Sequence, residues 1–352
     1  MATLLKHTVK PSGGDFTTLD EALDHLAASH ANLVAADVYA TIEIDGTWSS
    51  ADTRAVAMPN LIGDATRYLS IYTTAAARHD GKWDTGAYML NVANSTAINF
   101  TNSVNMTHIR FDGLQIGLSS ANANYQACLD FAAAGAGTSI WVSNCILKQA
   151  NNNSYRIPVI ISQSGNVTLN CWNTIAYGVG NNDNALNAVF CGYDYGAFNL
   201  YSCVAIGGKY AYYAGDSGGT MTVKNCYGGG SLTEDFYRGA GTLAKTNCAS
   251  EDSSADDTGT GETQSNCDVS VALDTDTFVN VTYATADYHL AADGNSPLMG
   301  QGVSTSGESS PMNFTTDIDG QTRDATWDIG ADAWVVAAPT GMVNDIVMIF
   351  EC

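Results

Sequence analysis

Six strand-like stretches between residues 109 and 250 carry a polar pair at their centre, and in five of them that pair is Asn or Ser followed by Cys. They are "IRFDGLQI" (109–116), "IWVSNCIL" (140–147), "VTLNCWNT" (167–174), "FNLYSCVA" (198–205), "MTVKNCYG" (221–228) and "LAKTNCAS" (243–250). Aligned on that centre, the cysteines at 145, 171, 203, 226 and 248 are 26, 32, 23 and 22 residues apart. Recurrence at this period marks a solenoid, in which each repeat is one supersecondary unit stacked on the next.

Within each unit apolar and polar residues alternate, with Val, Ile, Thr, Tyr and Phe prominent, and clusters such as "AAAGAG", "GVGNND" and "AGDSGG" separate the runs. This is the pattern of short strands broken by turns. Units of 22 to 32 residues with almost no helical periodicity are too short for helical repeats, and they lack the Trp-Asp and Gly-His marks of propeller blades. They fit a parallel β-helix of three short strands per turn, with equivalent residues stacked about 4.8 Å apart. The five cysteines then form an internal ladder of reduced thiols acting as small hydrophobes. Disulfides between neighbouring rungs are sterically allowed, but without an export signal a reduced state is expected.

Composition narrows the function. Charged residues are 14% of the chain, and 14 Lys and Arg face 36 Asp and Glu, for a formal charge of −22. No basic run occurs, so nucleic acid and anionic membranes are excluded as electrostatic partners. The first residues, "MATLLKHTVKPSGGDF", contain no signal peptide, and no apolar run approaches the length of a membrane span. None of the nine cysteines stands in a C-x-x-C pair, which argues against a closed zinc site.

The ends carry a resemblance. "HTVKPSGGDFTTLDEALDHLAAS" places a capping box, Thr18-x-x-Glu21, before an apolar stripe of Leu19, Ala22, Leu23, Leu26 and Ala27. "DYHLAADGNSPLMGQG" is followed by "TDIDGQTRDATWDIGADAW". With the repeats between them, these segments resemble the pectate-lyase-like right-handed parallel β-helix superfamily over most of the chain. The resemblance implies an all-β solenoid with an N-terminal capping helix. On this reading residues 1–34 are the first strand and that helix, and 35–336 are the β-helix. An acidic loop at 249–266 leaves the coil, and 337–352 are a capping or docking tail.

The superfamily contains polysaccharide lyases and hydrolases, which need grouped carboxylates and, in lyases, Ca²⁺ with an Arg or Lys base. The coil holds few acids, and none recurs at one rung position. The catalytic candidates are Glu234, Asp235 and Arg238 in "SLTEDFYRG", with Asp194 and Asp216 on neighbouring turns. A surface turn with a salt bridge is the alternative for these residues. Trp172, Tyr177, Tyr193, Tyr195, Tyr210, Tyr212 and Tyr213 form an aromatic group expected on the outer face as a stacking surface for sugars or a protein. Asp317-x-Asp319-Gly320 does not match an EF-hand, and Asp319 is expected to pair with Arg323. No metal site or cofactor is expected, calcium entering only with the lyase reading.

The preferred expectation is a non-catalytic β-helix scaffold on a virion surface or outside the cell. It is most simply a bacteriophage capsid decoration or tail protein whose partners are other virion proteins or cell-surface glycans. Oligomers suit that setting, although nothing resembles a trimerisation coiled coil. The rival is a tailspike-type polysaccharide lyase or glycoside hydrolase.

Overall fold

A computed structural model describes residues 2–100, 107–120, 126–131, 134–135, 137–149, 159–162, 167–178, 187–193, 196–215, 218–291 and 294–334. The chain winds through three parallel sheets. The first has ten strands: Thr3–Val9, Val38–Ile44, Leu69–Thr73, His108–Asp112, Ser139–Ser143, Thr168–Trp172, Ala197–Tyr201, Thr220–Lys224, Thr242–Thr246 and Glu262–Ser265. The second has seven, from Met89–Ala93 to Ala249–Ser250, and the third has seven, from Val56–Ala57 to Glu234–Arg238. Each strand pairs with its equivalent one turn away, and from Val38 to Ser265 successive strands lie in different sheets, which makes the fold a parallel β-helix. Parallel crossovers are right-handed. An antiparallel pair, Phe278–Asn280 with Asp287–Leu290, follows the coil.

The turn between the first and second sheets explains the repeat. Gly113, Asn144, Asn173, Ser202, Asn225, Asn247 and Asn266 all take positive φ there, between 48° and 73°. Gly and Asn tolerate this left-handed conformation better than other residues do. The next residue points inward and donates to the carbonyl two residues back: Cys145 to Ser143, Thr174 to Trp172, Cys203 to Tyr201, Cys226 to Lys224, Cys248 to Thr246 and Cys267 to Ser265, at 3.0 to 3.5 Å. Each of these carbonyls also accepts the backbone N–H of the corner residue one rung earlier, as Lys224 O does from Ser202 N at 2.8 Å, so the thiol or threonine hydroxyl is a small inward side chain that adds a second, weaker bond.

This corrects the alignment at one rung. Cys171 does not belong to the corner column; it lies inside the first sheet, paired with Val142 and Leu200. Asn173-Thr174 fills the corner instead, so the Asn144 to Asn173 and Asn173 to Ser202 steps are 29 residues each. Cys171 still joins the ladder, its Sγ 3.8 Å from that of Cys203. The eight cysteines among the described residues are free thiols, all buried except the half-buried Cys267.

The helix Leu19–His30 closes the N-terminal end, burying Leu19, Ala22, Leu23 and Leu26. Thr18 caps it by accepting from Glu21 N, and the buried Asp52 accepts from Leu19 N at 2.9 Å. No helix is long and apolar enough to cross a membrane among the described residues. At the other end, the stretch expected to loop out at 249–266 instead completes the coil. Glu262–Ser265 pairs with Leu243–Thr246, Ser250 and Ser254 are buried, and Ala255 joins the core. Backbone pairing and serine hydrogen bonds hold this turn, so large apolar residues are not required.

The chain beyond Val271 folds back over the outer face of the second sheet. Ile146, Ile175, Tyr177, Val204, Ile206 and Tyr227 pack there against Phe278, Tyr288, Leu290, Leu298, Ile318 and Ile329, so this sheet is buried on both faces. Asparagines of the corner column anchor the returning strap. Asn247 donates to Gln301 O, Asn225 to Val303 O and Asn173 to Thr316 O, each at 2.8 Å. Arg323 does not pair with Asp319. Buried, it donates to the carbonyls of Thr316, Gly330, Ala331 and Asp332 and to Asn173 Oδ1. The tail at 337–352 lies outside the described residues.

Candidate functional site

Because side chains alternate along a strand and stay in register between rungs, the outer face of the first sheet forms straight columns. One column reads Ser70, Arg110, Trp141, Asn170, Asn199 and Thr222. The next reads Tyr72, Asp112, Ser143, Trp172, Tyr201 and Lys224. The strap segment 308–314 runs beside the second column. There Phe314 stacks on Trp172 at 6.2 Å between ring centroids, and Glu308 pairs with Lys224. Burial, reinforced by Glu308, pushes the Tyr201 hydroxyl up to about 12.

Between sheet and strap lies a groove of about 310 Å³, floored by Ser139, Trp141, Asn170, Asn199 and Tyr201 and walled by Glu308 to Met312. Asn199 Nδ2 donates to Asn170 Oδ1 at 2.9 Å, and Trp141 Nε1 to Ser139 Oγ at 3.2 Å. Aromatic faces beside amides and hydroxyls suit a polar ligand with an apolar ring face.

The residues singled out from sequence divide. Trp172 flanks this groove, half-buried under Phe314. Tyr177 lies under the strap against Tyr283 and Tyr288. Tyr212 is inside the coil, stacked between Phe190 and Phe236 at 5.4 and 4.6 Å. Tyr210 and Tyr213 stack with Tyr237 on the outer side of the third sheet, but both are buried, and Tyr193 packs partly beside them. The single exposed tyrosine surface is therefore not formed: Tyr177, Tyr210, Tyr212 and Tyr213 are filled in by packing. Tyr195 lies outside the described residues, as do Asp194 and Asp216.

Glu234 and Asp235 are successive in one strand and do not converge. Asp235 is buried, accepting from Ser231 Oγ and from the backbone N–H groups of Glu251 and Asp252, and burial pushes its carboxyl up to about 6. Its role is to fix the last turn. Glu234 is half-buried, and burial with neighbouring carboxylates raises its pKa. Arg238 turns to Gly241 O and Glu262 rather than to Glu234.

Sequence reasoning missed Arg110, Trp141, Asn170 and Asn199 as a group, and also a cluster around His289. The His289 ring bonds Asp287 at 2.5 Å and Asp319 at 2.9 Å, and ligand atoms of His289, Asp319 and Asp332 lie within 4.8 Å of one another, a spacing that could hold a cation. Burial would lower the His289 pKa, but the bonds to Asp287 and Asp319 overrule it and hold the ring at about 11. A protonated ring satisfies both flanking carboxylates, so the cluster works as a charge clamp between the post-coil hairpin and the strap.

No protein-family profile matches the chain, and a search of curated proteins gives no match. Among solved structures it is similar to the crystal structure of pectate lyase Pel9A. That likeness has a TM-score of 0.41 and 14% sequence identity, over 95% of this chain and 97% of that one. The strand order alone establishes the fold: an all-β, right-handed parallel β-helix.

Proposed function

We propose that the protein is a rigid, non-catalytic β-helix that is displayed on a surface and binds glycans along the outer face of its first sheet. The observation that carries this reading is the groove over Trp141, Asn170 and Asn199, an indole and two amides in register on adjacent rungs. Sugars present alternating hydroxyls and an apolar ring face, which such a floor matches. A scaffold of continuous parallel ladders holds those groups at fixed spacing with little ordering cost on binding.

A phage particle, as a capsid decoration or tail component, is the setting we assign. The acidic charge, the absence of basic runs and the stiffness of the coil support it. The test is direct. The purified protein, incubated with a polysaccharide panel, is expected to retain glycans without releasing new reducing ends or unsaturated products. Such products would overturn the non-catalytic reading in favour of a lyase or hydrolase. Mass spectrometry of purified virions tests the setting, and absence of the chain there would refute it.

A further inference from the structure

Arg110 stands apart from the other described arginines. Arg54, Arg67, Arg78, Arg238 and Arg323 each bond at least one oxygen. Arg110 bonds none among the described residues, in a chain whose net charge of −22 makes carboxylates plentiful. Its guanidinium is held between two rings instead, with Cζ 3.7 Å from the Tyr68 centroid and 3.9 Å from that of Trp141. Those contacts cover the two faces of the planar group and leave its in-plane N–H edge without an acceptor. The group is half-buried, and that burial lowers its pKa.

A stacked guanidinium whose N–H edge reaches solvent is held in place with its donors open to exchange water for an oxyanion. Stacking accounts for the rigidity of the side chain, not for the five unused N–H donors. Its position gives the reason. Arg110 lies one rung from Trp141 and two from Asn170 in the same column, at the end of the groove nearer the N-terminus. Asn170 accepts from Asn199, and its own Nδ2 has no partner among the described residues. The column thus offers donors on both sides of an indole. The complement is a ligand rich in acceptors, with an oxyanion at one end.

We infer that Arg110 is an oxyanion-binding subsite of this groove, taking the carboxylate, sulfate or phosphate of a charged glycan in a bidentate contact while the neighbouring sugar lies over Trp141 and Asn170. The inference rests on the glycan-binding reading and narrows it from glycans at large to charged ones. A rigid fork matches the planar geometry of carboxylate and the oxygen pairs of sulfate and phosphate. It also supplies attraction at one point of a surface that otherwise repels anions.

Two measurements test it. In the first, wild type, Arg110→Lys and Arg110→Gln are titrated with dextran, carboxymethyl-dextran and dextran sulfate, with thermal denaturation confirming that each variant folds. The charged dextrans are expected to bind wild type at least tenfold more tightly than dextran. Arg110→Gln should remove that preference, so that charged and neutral dextrans bind it alike, and Arg110→Lys should recover only part of it, because an ammonium lacks the planar fork. In the second, the Nε–H resonance of Arg110, assigned by its loss in Arg110→Gln, is followed during titration with inorganic sulfate and with acetate. A saturable shift, absent at the ion-paired Arg54, is expected. If the Arg110 resonance does not move, the subsite is refuted whatever the glycans do. If charged and neutral dextrans bind alike and Arg110→Gln changes neither, the subsite fails while the groove stands. A sulfate-dependent shift with no glycan binding keeps the subsite and refutes the groove.

Discussion

The side-chain amide of Asn225 and the backbone of Val303 exchange two hydrogen bonds, Nδ2 to the Val303 carbonyl at 2.8 Å and the Val303 N–H to Oδ1 at 2.9 Å. An asparagine at φ 52° thereby acts as one rung of a strand pair between the coil and the returning strap. Two functions meet in this residue, and variants separate them. Asn225→Gly keeps the left-handed corner and loses only the bonds, for about 1 kcal/mol. Asn225→Ala loses both, for about 2 to 3 kcal/mol. Denaturant unfolding of the two variants checks this, and equal destabilisation would show that the corner conformation contributes nothing.

Arg323 is the second anchor, donating to four carbonyls and to Asn173 while fully buried. Lysine cannot reach several acceptors at once. Arg323→Lys is therefore expected to cost at least about 3 kcal/mol, since buried carbonyls lose their donors. Limited proteolysis should then cut the strap between 300 and 334 faster than in wild type. An unchanged cleavage rate would place the strap's stability elsewhere.

The corner cysteines predict an unusual tolerance. Thr174 does with a hydroxyl what its neighbours do with a thiol. Cys226→Thr should therefore lie within about 1 kcal/mol of wild type, whereas Cys226→Ala opens a void in the lumen while the Lys224 carbonyl keeps the Ser202 N–H, costing about 1 to 3 kcal/mol. Burial raises the pKa of Cys145, Cys203 and Cys248. Among the described thiols, only the half-buried Cys267 should react with a thiol reagent before unfolding. Early labelling of Cys226 or Cys248 would contradict the closed ladder.

Stability should fall with rising pH in two successive windows. The folded pKa of His289, about 11, lies above the ordinary histidine value of 6.5. Its contribution is thus complete below pH 6.5 and is lost as pH rises toward 11. Burial pushes Asp235 and Asp332 up to about 6 from 3.8. These groups favour folding as pH falls from 6 toward 4, where the folded protein binds protons that the unfolded chain does not. Melting temperatures from pH 4 to 10 should decline on the alkaline side, and His289→Gln should flatten that decline. A variant with the same alkaline slope as wild type would remove His289 from the account.

The Asn-Cys recurrence revealed the solenoid because each corner takes a residue that accepts positive φ, followed by an inward side chain that at six rungs is a small Cys or Thr. Aligning on the cysteine misplaced one rung, since "LNCWNT" offers two asparagines and only Asn173 turns the corner. Aligned on the corner residue, Arg110, Trp141, Asn170 and Asn199 all fall three positions before it, and the groove column could have been read directly. The tyrosines were not legible in the same way. Alternation shows that successive side chains face opposite sides, but it cannot say which side is the lumen or which outer face another segment covers. Tyr212 went inward, and Tyr177 was covered by residues more than a hundred positions later.

A coil of repeats can normally gain or lose a turn, because each rung contacts only its neighbours. Here the strap meets the coil at Asn247, Asn225 and Asn173, in reverse chain order. Inserting or deleting one turn between residues 173 and 247 would move every later anchor out of step with its partner. The returning segment therefore acts as a ruler, and it gives a repetitive architecture a fixed number of turns.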